Sequence, residues 1–160
     1  MSKEMSNDLI IQYQNTFRIF RQEVNRFSED QWFSGFSFFQ VPVKQAMHLL
    51  NCLDFYFAEK KGEEYQWGYR LGGGWWELTD EQLPGQDTIL SFADDLENKV
   101  IEKLQSLGDL DLSKPTNPKY EWAETWLGHL IYALRHTLHH YGQLSALASF
   151  HGHEGGSWDL

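Results

Sequence analysis

Arg135-His136-Thr137-Leu138-His139-His140-Tyr141-Gly142-Gln143 lies inside the longest uninterrupted apolar-periodic segment of the chain, roughly Glu121 to Phe150. At about 100° per residue, His136 and His140 leave one face of a helix about 40° apart, the placement that lets two imidazoles reach one ion. Gln143 falls on that face as well. Leu127, Leu130, Ile131, Leu134, Leu138, Tyr141 and Ala148 predict the core stripe of this helix, with the histidines opposite. Such a face would ordinarily be solvated, yet between Glu124 and Glu154 the only charged residue is Arg135. A free surface collects Lys and Glu, so another helix is expected to cover the histidines, and covered imidazoles need a partner or a metal. Pairs at this spacing also arise by chance in a chain with seven histidines, so spacing alone leaves the solvated and the metal-binding readings open.

Upstream, Leu9, Ile10, Tyr13, Phe17, Phe20, Val24 and Phe27 recur at steps of three or four and predict a first helix. Ser28 to Phe39 reads as an aromatic-rich connection, and Pro42 suits the first turn of a second helix, expected over about Pro42 to Lys60. Val43, Ala46, Leu50, Leu53 and Phe57 form its core stripe, while His48, Cys52, Phe55, Gln45 and Asn51 gather on the other side. His48 is the best candidate for a third donor, because no other histidine precedes Trp122. Lys61 to Asp87, with Gly72-Gly73-Gly74 beside Trp75 and Trp76, cannot be a helix. A connection of that length predicts a crossover that retraces a helix of about 30 Å and leaves helices two and three parallel.

Ile89, Phe92, Ala93, Leu96, Val100, Leu104 and Leu107 mark a third helix, with Asp87 or Thr88 as N-cap and Gly108 as stop. A polar loop containing Pro115 and Pro118 is expected next, and the fourth helix from near Glu121. The expected fold is all-α: one domain, 1–160, folded as a four-helix bundle with a long crossover between helices two and three, in up-down-down-up order.

Lys and Arg total 13 against 23 Asp and Glu, and a net charge of -10 repels a phosphate backbone, which argues against nucleic acid as a partner. Cys52 is the only cysteine, so no intrachain disulfide is possible and a cytoplasmic location is the expectation. Met1 to Asp8 is polar and no run of residues is long and apolar enough for a bilayer, so neither export nor a membrane is expected. Aromatic residues make up 16%, which must be placed in the core, in a site or at a subunit contact.

A lone histidine in the second helix, His48, followed far downstream by His136-x-x-x-His140 running into Gly142-Gln143, resembles the DinB-like family of small metal-binding four-helix proteins. The family's name reflects induction by DNA damage and implies no contact with nucleic acid. The resemblance implies that His48, His136 and His140 are the three metal ligands, that the ion is divalent, zinc or nickel by its imidazole donors, and that the protein is a homodimer. Family members include thiol-dependent S-transferases and a thiol-dependent isomerase. The implied function is therefore metal-dependent transfer of a low-molecular-weight thiol to a small electrophilic substrate. A metal-dependent hydrolase and a non-catalytic, stress-associated metal-binding dimer are the alternatives.

The remaining candidates read more modestly. His129 is expected to line the pocket, His139 to be structural or exposed, and His151 and His153 to sit in a helix-ending surface loop. Cys52 reads as small core filler before fourth ligand or nucleophile. Gly142 is expected to permit close approach of another backbone, and Gln143 to hydrogen-bond a ligand or to face solvent. Trp75 and Trp76 read as anchors of the crossover or as an aromatic lid. No Glu-x-x-His pair occurs in the chain, which disfavours a ferritin-like di-iron site, and the metalloprotease pattern His-Glu-x-x-His is absent too.

Overall fold

Helical periodicity is realised almost wherever it was strong. The computed structural model describes residues 2–37, 40–59 and 64–154. In chain order its elements are α1 (Glu4–Val24), a one-turn α2 (Glu29–Trp32), α3 (Pro42–Phe57), α4 (Gln86–Ser106), a one-turn α5 (Asp109–Leu112), β1 (Pro115–Tyr120), β2 (Ala123–Thr125) and α6 (Trp126–Phe150). The architecture is mostly helical, with one small antiparallel hairpin formed by β1 and β2. Among the described residues no helix is long and apolar enough to cross a membrane.

The long helices bury their apolar sides in a shared core, whose fully enclosed members include Tyr13, Phe20, Leu50, Leu53, Ile89, Leu96, Leu104 and Leu130. Polar contacts tie the helices in pairs. Ser6 Oγ donates to the Leu107 carbonyl (2.9 Å), Arg21 Nε to Asp94 (2.8 Å) and Gln86 Nε2 to the Val24 carbonyl (2.6 Å), joining α1 to α4 along its length. Tyr13 Oη donates to the Leu130 carbonyl (2.8 Å) and Tyr141 Oη to Glu23 Oε1 (3.3 Å), joining α1 to α6. Lys99 Nζ reaches Asp54 at 2.7 Å between α4 and α3, while Lys44, near the start of α3, pairs with Asp80, just before α4.

Several local expectations need correcting. The connection after α1 contains α2, because Ser28 and Gln31 form a reciprocal capping box that satisfies two N-terminal N–H groups. Helix α3 ends at Phe57, short of Lys60, which lies outside the described residues. Its supposed second face is buried too, with Gln45, Asn51 and Cys52 enclosed. The N-cap of α4 is Gly85, ahead of Asp87 and Thr88. The expected polar loop is instead α5 followed by the hairpin, in which Tyr120 pairs with Ala123 and the register is irregular towards Pro115 and Thr125. A strand of Pro, Thr, Asn and Lys lacks apolar alternation, so periodicity could not reveal it. As a result α6 starts at Trp126, capped by Thr125 Oγ1, which accepts from the Gly128 N–H (3.2 Å).

The core face of α6 also differs from the expected stripe. Leu130, Ala133, Thr137, Tyr141, Leu144 and Ala148 are buried, whereas Ile131 is 51% exposed. At about 100° per residue this face is rotated towards the histidines, which flank the core at roughly a right angle to it and do not oppose it. Gly142 is exposed, and a Cβ built on it meets nothing within 4 Å, so it does not serve close approach. Gly142→Ala is accordingly expected to stabilise the fold by about 0.5–1 kcal/mol, read as a higher urea midpoint at unchanged slope. Destabilisation would mean that this position has a partner after all.

The segment 64–85 is irregular but tied down. Tyr65 Oη donates to Asp54 Oδ2 (2.6 Å), and the Gly68 N–H donates to Asn51 Oδ1 (3.1 Å), so two buried polar residues of α3 hold the loop. Gly68 has φ +70°, and a Cβ there would meet the Gly73 carbonyl at 1.9 Å, so only glycine fits this turn.

Candidate metal centre

Antiparallel packing of α3 against α6 places His48 opposite His140, and one turn further on it leaves Cys52 facing the level of His136. His48 Nε2 lies 3.0 Å from His140 Nε2, which lies 3.3 Å from His136 Nε2. These three donor atoms all fall within 4.8 Å of one another. Three histidines are therefore close enough to bind one metal ion. An ion with bonds of about 2.0–2.1 Å, in tetrahedral or octahedral geometry, spaces its nitrogens by about 2.9–3.4 Å, and both measured spacings lie in that window. His140 Nδ1–H donates to Gln143 Oε1 at 2.7 Å, which leaves Nε2 as a bare lone pair aimed at the other two rings. The donor set thus fits a divalent ion. His136 lacks a comparable support, because its Nδ1 is buried with no hydrogen-bond partner among the described residues.

Burial pushes the His48 imidazole down to about 4, with the neighbouring His140 and His136 adding to the shift. Burial is likewise the main reason that His136 falls to about 4, helped by His140, His139 and Arg135. His140 is lowered by burial and partly restored by Gln143. Near neutral pH all three are uncharged, the form that a ligand must have.

Cys52 approaches without joining the set. Its sulfur is 3.7 Å from Nε2 and 3.8 Å from Nδ1 of His48. Near-equal distances to both ring nitrogens put the sulfur over the ring face, away from the lone pair. Burial pushes the thiol up to about 12, which favours the protonated, weakly nucleophilic form.

Aromatic rings enclose the centre. Trp75 meets the His48 ring edge-on at 4.5 Å and continues through Trp67 to Phe55, while Trp76 stays 53% exposed. On the other side Tyr132 lies parallel to His136 at 6.2 Å and Tyr56 meets it edge-on at 5.5 Å. Tyr56 was not singled out from sequence, although it lies two turns past His48 on the same side of α3. His129 is fully buried and not a ligand: Trp122 Nε1–H donates to its Nδ1 (3.2 Å), and its Nε2–H donates to the Tyr56 carbonyl (2.9 Å). It lines a separate cavity of about 950 Å³, with Tyr56, Tyr65, Lys99, Tyr120 and Trp126 among the other walls and none of the three clustered imidazoles. His139 is exposed, His151 packs edge-on against Phe27, and His153 bonds Gln31, so the tail pair is far from the cluster in role.

No family model, curated protein or solved structure matches the chain in comparisons with known proteins. The case for function therefore rests on the donor set itself.

Proposed function

We propose that this chain is a DinB-like metalloprotein that uses His48, His136 and His140 to hold one divalent ion, zinc or nickel, and transfers a small thiol to an electrophile. The observation that carries the reading is the convergence of three neutral imidazole nitrogens from two helices far apart in sequence. The resemblance in His48, His136, His140 and Gly142-Gln143 supports the same conclusion. The helix pairings support the fold that goes with it. Pairs of contacts run in opposite directions between α1 and α4 and between α3 and α6, and in the same direction between α1 and α6, while Lys99 and Asp54 join α4 to α3. We read these as an up-down-down-up four-helix bundle with a crossover between α3 and α4.

Three histidine ligands leave coordination positions open, and an ion so held supplies Lewis acidity that favours the deprotonated form of a thiol. The chain supplies the rest. Gln143 holds the His140 ring in one tautomer, and Trp75 covers the outer edge of His48. Cys52 is buried with its sulfur against the His48 ring, so this reading takes the reacting sulfur from a separate small molecule. In the transfer that thiol loses its proton, its sulfur bonds to the electrophilic carbon, and the leaving group departs with the electron pair of the broken bond.

The test sets a panel of cellular thiols against a chromogenic electrophile with metal-loaded, chelated and His140→Ala protein. Thiol consumption well above background in the loaded protein alone is the expected result. Equal rates in all three would favour the non-catalytic reading, and turnover of an ester without thiol would favour a hydrolase.

A further inference from the structure

The cavity of about 950 Å³ that His129 lines opens between the C-terminal end of α3, the second half of α4, the hairpin and the N-terminal end of α6. Its size is at the upper end of the range for small-molecule sites, about 300–1,000 Å³. Among its walls Asp54, Tyr65, Tyr120 and His129 are buried, whereas Glu59, Glu64 and Glu102 are exposed. The cavity therefore runs from solvent into the interior and is acidic at its mouth.

Its charges do not balance. Four carboxylates, Asp54, Glu59, Glu64 and Glu102, stand against two ammonium groups, Lys99 and Lys103, which leaves the lining two charges negative. His129 adds none, because its Nδ1 accepts the Trp122 indole N–H and its one proton is on Nε2, towards the Tyr56 carbonyl. The walls already hold both lysines. Lys99 Nζ is 2.7 Å from Asp54, which also accepts the Tyr65 hydroxyl at 2.6 Å, and Lys103 Nζ lies 4.8 Å from the centre of the Trp126 ring. A carboxylate and an aromatic face are the two kinds of group that seat an ammonium ion. Asp54 is thus satisfied, while among the described residues no ion pair engages Glu59, Glu64 or Glu102.

We infer that this cavity binds an organic cation, an ammonium group, primary or quaternary, carried on an apolar body. The acidic mouth attracts the charge, and the tyrosine and tryptophan walls take up the apolar part and offer ring faces to the nitrogen. An anion of the same size is repelled, and a neutral molecule gains the apolar contact alone. The net charge of -10 favours the same sign at longer range. The inference stands apart from the metal-binding reading, since none of the three clustered imidazoles lines the cavity.

The experiment titrates the full-length protein calorimetrically with benzyltrimethylammonium, benzylammonium, benzyl alcohol and benzoate, which share a ring and differ in charge. Both cations are expected to bind at least about tenfold more tightly than the other two. A quaternary nitrogen has no lone pair, so its binding is not coordination to an ion at the histidines. Tighter binding of the quaternary cation gives the ring faces the larger part and tighter binding of the primary one the carboxylates; either supports the inference. Glu59→Gln/Glu64→Gln/Glu102→Gln is expected to weaken both cations about tenfold and to leave benzyl alcohol unchanged. Asp8→Asn/Glu81→Gln/Glu154→Gln removes the same charge from exposed positions outside the cavity and is expected to change cation affinity less than about twofold. Equal weakening in the two triple variants overturns the inference, because diffuse charge would then explain the binding. Benzoate bound as tightly as the cations, or no heat from either cation at about 10 mM, overturns it on the unaltered protein alone.

Discussion

Alanine at His48, His136 or His140 is expected to lower affinity for zinc by a hundredfold or more, on the order set by losing even the supporting partner of a ligand, which costs about 10–100-fold. Each substitution removes one of three nitrogens whose spacings of 3.0 and 3.3 Å suit a common ion. Gln143→Ala should be milder, about 10–100-fold, because it frees the His140 ring without removing a donor. Alanine at His151 or His153 should change nothing, since these rings contact Phe27 and Gln31. Competition titration against a chromophoric chelator measures all of these. If the tail variants lose affinity alongside the cluster variants, binding is adventitious.

Trp32→Ala is expected to destabilise the metal-free protein by about 3–5 kcal/mol, the range for truncating a large buried aromatic side chain. Trp32 is fully buried, packs on Phe27 and donates its indole N–H to the Pro84 carbonyl (3.1 Å). It thereby ties α2 to the end of the irregular segment that leads into α4. The substitution opens a cavity and leaves that carbonyl without its donor, so a thermal midpoint lower by roughly 10 °C is expected. Zinc affinity of the folded variant should be unaffected, because Trp32 contacts Phe27 and the Pro84 carbonyl, neither of which belongs to the cluster. A shift of less than about 2 °C would mean that the one-turn helix is not part of the cooperative core.

The two kinds of residue behind these predictions differed in how far they could be read in advance. His136, His140 and Gln143 share a helix, and intrahelical spacing specifies their common side whatever packs against it. His48 was reachable by elimination among histidines, and the contact with His140 bears that pairing out. Trp32 was not legible, because its burial depends on a four-residue helix too short to show periodicity. The hairpin was hidden for a similar reason: Pro115, Thr116, Asn117, Pro118 and Lys119 resemble a solvated loop, and their pairing depends on a partner strand of only three residues.

The position of the core on α6 shows a subtler failure. Leu127, Leu134 and Leu138 outweigh Ala133 and Thr137 in any hydrophobicity count, yet it is the small residues that are enclosed, while those leucines stay partly exposed. Close packing between helices selects for side chains that fit, and apolarity alone does not rank them. Part of the aromatic content forms chains of ring contacts beside the histidines, Phe55, Tyr65, Trp67 and Trp75 on one side and Tyr56, Tyr120, Trp122 and Tyr132 on the other, while Tyr13, Phe17, Phe20, Phe27, Trp32 and Tyr141 lie in the core.

Elemental analysis of untagged protein, beside a His48→Ala/His136→Ala/His140→Ala variant purified identically, tests the metal centre most directly. The unaltered chain is predicted to carry about one equivalent of zinc or nickel, or to take it up to that stoichiometry when titrated, and the triple variant less than about a tenth of it. Equal metal content in the two proteins, or an unaltered chain that neither carries nor binds a divalent ion, would contradict the assignment.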